Sequence, residues 1–321
     1  MANEPHRQPL DKPTSAFKLW WVAIRPFSLT ATLIPVLTGT VLAVTVGHAA
    51  LHLLSLIGAV AGMLALQIAA NLFNDVYDYQ KGLDRQVHPA SGAVVRGWLT
   101  QDQGLTAAWC CIGIGGLIGI GFVIRIGLSI LMIGLCGALS CLLYSRGPLA
   151  MKYHALGDLA VFVNLGLLGC LGAWTVQTGT PSWIPVLWSV PMGLLVIAIL
   201  HANNWRDIQT DRQGGIRTVA TLFGDAASRC YYRVLLYGPF VYIGAMILVT
   251  STFGLDPRMP WTFILTFIAL PDAMKLDRAG ATRHDPEKQG DFMALDSATG
   301  RLNLVFGVLY ITAALLASWL C

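Results

Sequence analysis

The 321 residues carry a net charge of +4, but only 12% are charged and 55% are hydrophobic, with a mean hydropathy of +0.62. That charged share is about half the usual soluble value, so an ordinary soluble domain is excluded and a membrane domain is expected. Basic residues in short loops beside acids leave no nucleic-acid footprint. The seven cysteines (Cys110, Cys111, Cys136, Cys141, Cys170, Cys230 and Cys321) form no C-x-x-C pair, so they read as small packing residues rather than a zinc, redox or disulfide framework.

Residues 1–19 read as a polar tail without the layout of a cleaved signal peptide. Residues 20–321 read as one all-α membrane domain, a bundle of nine transmembrane helices. The apolar segments run over 27–46, 53–73, 105–124, 127–144, 158–177, 184–204, 231–251, 260–276 and 303–320, each near the length a bilayer requires. Pro35, Pro191, Pro239 and Pro271 fall inside four of them and are expected as kinks. Gly113, Gly115, Gly116, Gly119 and Gly121 are expected to bring helices into close contact. Nineteen of the 21 lysines and arginines fall in the tail and in alternate loops, leaving only Arg125 and Arg258 on the other side. The asymmetry supports nine spans and puts the N-terminus in the cytoplasm, with Cys321 across an inner cell membrane. Trp20 and Trp21 then anchor the inner interface, and Trp183 and Trp261 the outer one.

Two segments end in acid-rich patterns on the cytoplasmic side. The run from Leu53 to Ala70 closes on Asn71-Leu72-Phe73-Asn74-Asp75-Val76-Tyr77-Asp78, followed by Lys81, Asp84 and Arg85. Helical spacing puts Asn71 with Asp75, Asp75 with Asp78, and Asn74 with Asp78 on shared faces. The run from Val186 to Leu200 closes on a second pattern in which Asn203, Asp207 and Asp211 repeat at four-residue steps, interleaved with Arg206 and Arg212. Carboxylates crowded at a membrane boundary repel one another and are costly. A divalent cation relieves both problems, and Mg²⁺ takes oxygen ligands of this kind together with substrate phosphates. Two such helix ends in one chain read as two half-shells of one site.

A cytoplasm-facing Mg²⁺ site in a membrane pocket asks for a substrate with a diphosphate head and a greasy tail. Lys81, Arg85, Lys152, Arg206, Arg212 and Arg217 are placed to share the charge of a departing diphosphate. The allylic carbocation left behind needs a dry, aromatic-lined pocket, for which Phe73, Tyr77, Tyr79, Tyr144, Tyr153 and Trp205 stand near the motifs.

These residues give the chain a resemblance to the intramembrane aromatic prenyltransferases of the UbiA superfamily. Asn71-x-x-Asn74-Asp75-x-x-Asp78 resembles the first aspartate-rich motif of that family, and Asn203-x-x-x-Asp207-x-x-x-Asp211 resembles the second, with Gly215-Ile216-Arg217-Thr218 as its tail. Finer features resemble the 1,4-dihydroxy-2-naphthoate polyprenyltransferase branch: Arg25-Pro26-Phe27-Ser28-Leu29, Lys81-Gly82-Leu83-Asp84, Tyr144 to Pro148, Lys152 to Asp158, Gln177-Thr178-Gly179 and Leu302-Asn303-Leu304. Arg146 stands where that branch commonly has glycine, and the stretch from Arg85 to Trp98 has no clear counterpart.

The resemblance implies a Mg²⁺-dependent transfer of a polyprenyl chain from an isoprenyl diphosphate to dihydroxynaphthoate, with decarboxylation, giving demethylmenaquinone. It implies that Asp75, Asp78, Asp207 and Asp211 bind metal, with Asp84 as a further ligand or a partner of Arg85. Asn71 and Asn203 would complete the shell, and Arg25 and Lys152 would receive the acidic acceptor or a diphosphate oxygen. Tyr144 and Asp158 would position the ring or take its proton, and Asp158 is equally suited to start a helix after Gly157. Another aromatic acceptor such as 4-hydroxybenzoate or homogentisate fits the same motifs. An ion-coupled transporter also uses intramembrane acids, but those belong near mid-span, and a structural membrane subunit leaves the paired Asn–Asp patterns unexplained.

Overall fold

The computed structural model describes residues 12–82, 92–147, 150–285, 287 and 289–320. Among these residues the regular structure is helical, with one isolated backbone bridge between His154 and Arg217 and no strand. In chain order the helices are α1 (Ala16–Ile24), α2 (Pro26–Thr45), α3 (Leu53–Gln80), α4 (Gln101–Ile126), α5 (Leu128–Ser145), α6 (Gly157–Val161), α7 (Gly169–Thr178), α8 (Trp183–Trp188), α9 (Val190–Arg206), α10 (Ile208–Gln213), α11 (Val219–Thr252), α12 (Leu270–Gly280), α13 (Gln289–Met293) and α14 (Leu295–Leu320). A π-helical stretch, Phe162–Leu168, joins α6 to α7, and a 3-10 stretch, Trp261–Ala269, leads into α12.

Among the described residues, seven helical rods are long and apolar enough to cross a bilayer: Ser28–Thr45, Leu53–Gln80, Gln101–Ile126, Leu128–Ser145, Gly157–Thr178, Val219–Thr252 and Leu295–Leu320. The apolar segments at 184–204 and 260–276 are also helical, but each is broken, at Ser189 between α8 and α9 and at the change from 3-10 to α at Leu270. Pro191 and Pro271 account for the breaks. Each sits in the first turn of the helix that follows, where a missing N–H forfeits no intrahelical bond. Of the four prolines expected as kinks, only Pro35 and Pro239 lie inside helices.

Other expectations are also revised. The polar tail gives way to α1 by Ala16, where Phe17 and Trp21 stack at 5.6 Å. A Cβ added at Gly115 would lie 3.3 Å from Leu66, but Gly113, Gly116, Gly119 and Gly121 have nothing within 4 Å of where a Cβ would stand, so of these five glycines close contact holds for Gly115 alone. Cys110, Cys136 and Cys230 are exposed, Cys111 and Cys141 half-buried, and only Cys170 is buried. Cys321 lies outside the described residues. Trp20, Trp21, Trp183 and Trp261 are all exposed, as interface anchors must be.

Helix α9 is the axis of the core. Its Met192, Leu195, Ala198, Ala202 and Trp205 are buried, and they pack with Leu235 and Phe240 of α11 and with Phe306 and Tyr310 of α14. Lipid tails are as apolar as leucine, so close fit rather than escape from water holds such helices together. One such close fit is between Gly166 and Gly193, where a Cβ on Gly166 would lie 2.6 Å from the Gly193 Cα. At the end of the bundle opposite the acid-rich patterns, Gln177 clamps the His52 backbone, accepting from its N–H at 2.8 Å and donating to its carbonyl at 3.2 Å. There too the Tyr310 hydroxyl donates to the Trp188 carbonyl at 2.7 Å.

Candidate active site

The first motif occupies the last turns of α3. Lys152 Nζ donates to Asn74 Oδ1 at 2.6 Å and also to the Asp78 carboxylate, whose other oxygen accepts from the Tyr153 hydroxyl at 2.9 Å. Ser145 Oγ reaches Asn74 Oδ1 at 3.2 Å. The loop that carries Lys152 and Tyr153 also grips the tail of the second motif. Ala155 N–H donates to the Arg217 carbonyl at 2.6 Å, Arg217 N–H donates to the Tyr153 carbonyl at 3.2 Å, and Ala150, Tyr153 and Ile216 pack together. This loop is the stitch that brings two patterns more than a hundred residues apart to one end of the bundle.

Asn71 and Asp75 are spent differently. The Asn71 amide donates to the Ile24 carbonyl and to Ser28 Oγ, both at 2.9 Å, which pins the junction of α1 and α2. Arg25 sits at that junction in the left-handed region, at φ 52°, which costs a non-glycine residue about 1–2 kcal/mol. Its Nε is buried without a hydrogen-bond partner. Such strain persists where surrounding structure enforces it and clusters at functional sites. Asp75 is fully buried, with Oδ2 accepting from the Val94 N–H at 2.9 Å and Oδ1 partnerless. The chain at Gly92 lies so close that any Cβ there would overlap the Asp75 carboxylate.

The second motif closes α9. Arg206 donates from Nε to Asp207 Oδ1 at 3.0 Å and from Nη2 to Asp207 Oδ2 at 3.1 Å, a forked grip on one carboxylate. Nη2 also donates to Asn203 Oδ1, and Nη1 donates to Asp296 Oδ2 of α14 at 2.8 Å. Asp211 lies in the first turn of α10, beyond the break at Asp207, and is half-buried.

Between these groups and the middle of the bundle lies a cavity of about 540 Å³. Arg25, Ser28, Asn71, Asn74, Asn203 and Asp296 line its polar end, and Tyr144 flanks it. Gln67 and the hydrogen-bonded pair Ser140 and Asn164 also line it, and the rest of the wall is apolar, from Met63 and Leu66 to Gly58, Phe122 and Ile130. From Asn71 to Gly58 along α3 is about 20 Å at 1.5 Å per residue. Asn71 and Asn74 face the cavity, and Asp78 continues their face one turn on.

Several expected residues fall elsewhere. Lys81 is exposed beside the Tyr153 ring, its Nζ 3.4 Å from the ring centre. Desolvation lowers its pKa from the ordinary lysine value; Asp78 opposes that shift and Lys152 adds to it. Arg212 is exposed and donates to the Thr221 carbonyl at 3.0 Å, and the Arg217 side chain is exposed. Asp158 starts α6 without capping it and is absent from the cavity wall. It is buried, its Oδ2 lying 3.9 Å from His201 Nδ1 without a hydrogen-bond partner. Of the aromatic residues expected to line a carbocation pocket, only Tyr144 does so; Phe73 packs on Tyr77 and Trp109, and Trp205 on Tyr232 and Phe292. Asp84 and Arg85 lie outside the described residues. Ser28, Gly92 and Asp296 were not anticipated. The signal for Asp296 was present: a lone acid opening an apolar helix, seven residues before Asn303 on the same face.

Among the described residues, no three His, Cys, Asp or Glu side chains converge as a ready-made metal cage. The donors at the site are all oxygens: Asn74, Asp75, Asp78, Asn203 and Asp207. That set suits Mg²⁺, which is ordinarily held by one or two carboxylates plus substrate phosphates rather than by an all-protein cage. The partnerless Asp75 Oδ1 is an acceptor of the kind such an ion satisfies.

Residues 32–305 match the model of the UbiA prenyltransferase family. The chain is 32% identical to UbiA prenyltransferase domain-containing protein 1 of Gallus gallus over 300 residues, covering 92% of this chain and 84% of that protein. It is 29% identical to 1,4-dihydroxy-2-naphthoate octaprenyltransferase of Bacillus subtilis, over 96% of this chain and 95% of that one. In fold it is similar to a UbiA homolog from Archaeoglobus fulgidus bound to GPP and Mg²⁺, with a TM-score of 0.61 and 13% identity over 91% of this chain and 99% of that one.

Proposed function

The chain belongs to the UbiA prenyltransferase family, and from that premise we propose that it transfers a polyprenyl chain from an isoprenyl diphosphate to 1,4-dihydroxy-2-naphthoate, with loss of CO₂, giving the quinol form of demethylmenaquinone. One observation carries the reading: a cavity whose polar end is faced by Arg25, Asn71, Asn74 and Asn203, and whose wall is otherwise mostly apolar apart from Gln67, Ser140 and Asn164. That shape matches a charged head on a hydrocarbon tail. The naphthoate acceptor is supported by the Bacillus subtilis relative. A different aromatic acceptor is the second reading, because animal relatives at 30–33% identity do not name one.

The residues then divide the work. The diphosphate lies at the polar end, where the unpartnered Arg25 Nε and the Lys152 ammonium meet its oxygens. Asp75, Asp78, Asp207 and Asp211 hold Mg²⁺, which when bound neutralises charge on the leaving diphosphate. The donor C1–O bond breaks and its electron pair leaves with the diphosphate. The ring carbon that carries the carboxylate bonds to C1, and loss of CO₂ restores the aromatic ring. Tyr144, on the cavity wall near the head, orients that ring, and the apolar wall keeps water from the cation. In this reading Asp158 supports the fold behind the cavity. Counted as spans, the broken rods at 183–206 and 261–280 make nine with the seven continuous ones, and the basic residues in alternate loops then put the site opening and the N-terminus in the cytoplasm.

The test is turnover by purified protein with Mg²⁺ and geranylgeranyl diphosphate, offered dihydroxynaphthoate, 4-hydroxybenzoate or homogentisate in parallel, with products read by mass. A decarboxylated prenyl-naphthol is the expected product. Prenylated hydroxybenzoate or homogentisate alone refutes the naphthoate assignment and leaves the family reaction.

A further inference from the structure

We propose that Asp296 is a positioning residue of the second motif, holding the alternative seat for the Arg206 guanidinium when Asp207 turns to a metal ion. The inference rests on the metal-binding reading above. In the structure Arg206 occupies both oxygens of Asp207 and also the Asn203 amide oxygen. Four of its five N–H donors are engaged, and Asp296 takes the only one that leaves the motif. The two side chains are nearly enclosed, at 10% and 8% exposure. Asp207, at 39%, is the accessible partner. A cation bound by Asp207 must displace at least part of the guanidinium's fork.

An arginine stripped of its anion in an enclosed site is strongly unfavourable. Asp296 removes that obstacle. It stands on α14 rather than on α9, so it stays in place while α9 side chains rearrange, and its Oδ1 is fixed by the Ser297 N–H at 2.7 Å. It also lines the cavity beside Asn203. Arg206 can therefore release Asp207 and remain paired. Without Asp296, Asp207 is the guanidinium's sole anionic partner and competes with the metal for it.

The experiment is Mn²⁺ binding to the purified protein, read by electron paramagnetic resonance without substrate or turnover. Asp296→Asn is expected to bind Mn²⁺ at least tenfold more weakly than the wild type. In an Arg206→Gln background the same change is expected to cost less than threefold, because the competing cation is gone. Unchanged affinity in Asp296→Asn, or an equal loss in both backgrounds, overturns the proposal and leaves the metal site intact. If Asp296→Asn does not fold, Arg206→Gln alone decides: it is expected to bind Mn²⁺ at least as tightly as the wild type, and weaker binding overturns the proposal. Wild-type protein that binds no Mn²⁺ more tightly than Asp207→Asn removes the metal-binding reading itself, and this inference with it.

Discussion

Gly92→Ala is the most exacting perturbation the site offers. The position needs no left-handed backbone, so alanine carries no conformational penalty of its own. The added Cβ nonetheless falls closer than 3.0 Å to the Asp75 carboxylate, a separation that real Cβ atoms do not adopt. Asp75 is 0% exposed and has nowhere to retreat without giving up the Val94 N–H. Overpacking of this kind costs about 1–3 kcal/mol. Stranding a buried acceptor adds about 1–3 kcal/mol, so the middle of the combined range is about 4 kcal/mol. For a chain of this size that corresponds to a drop of about 6 °C in melting temperature. Thermal unfolding in detergent, followed by tryptophan fluorescence, measures it, and Mg²⁺-dependent turnover is expected to fall in the same variant because Asp75 has moved. A melting temperature within 1 °C of the wild type, or full turnover, would refute the packing of the 92–95 segment against the motif.

Asp75→Asn and Asp207→Asn are each expected to lower Mg²⁺-dependent turnover by a hundredfold or more while the protein still folds, as judged by monodisperse elution; full activity in either would remove it from the metal shell. Lys152→Met strips the enclosed Asp78 carboxylate of its cation, which costs about 3 kcal/mol; thermal unfolding checks the loss, and an unchanged transition would contradict the pairing. Gln177→Ala loses two hydrogen bonds to the His52 backbone at the far end of the bundle. It is expected to cost about 1–2 kcal/mol and to leave kcat unchanged, and a severalfold fall in kcat would show that the two ends are coupled.

How far the sequence carries the structure depends on range. The long rods were legible because apolar length alone specifies them, as at Leu53–Gln80 and Gln101–Ile126. The breaks ahead of α9 and α12 were not, because a proline in an apolar run reads equally as an interior kink or as a first-turn residue, and Pro191 and Pro271 took the second role. The motif asparagines and aspartates were legible from helical spacing. Their partners were not, since Asp75–Val94, Asp78–Lys152 and Arg206–Asp296 are tertiary contacts with no periodicity to betray them. Tertiary packing also drew Phe73 and Trp205 into ring clusters away from the cavity, which proximity in sequence to the motifs had hidden.

The central claim is that a donor diphosphate sits between the two motifs with its tail along the apolar cavity. Photolabelling tests it most directly, using two geranylgeranyl diphosphate analogues, one with a diazirine near C1 and one with it on the last isoprene. Mass mapping is expected to place the first label around Ser28, Asn71 and Tyr144, and the second around Gly58, Phe122 and Ile130. Both labels falling instead on α11 and α12, outside the cavity wall, would contradict the account.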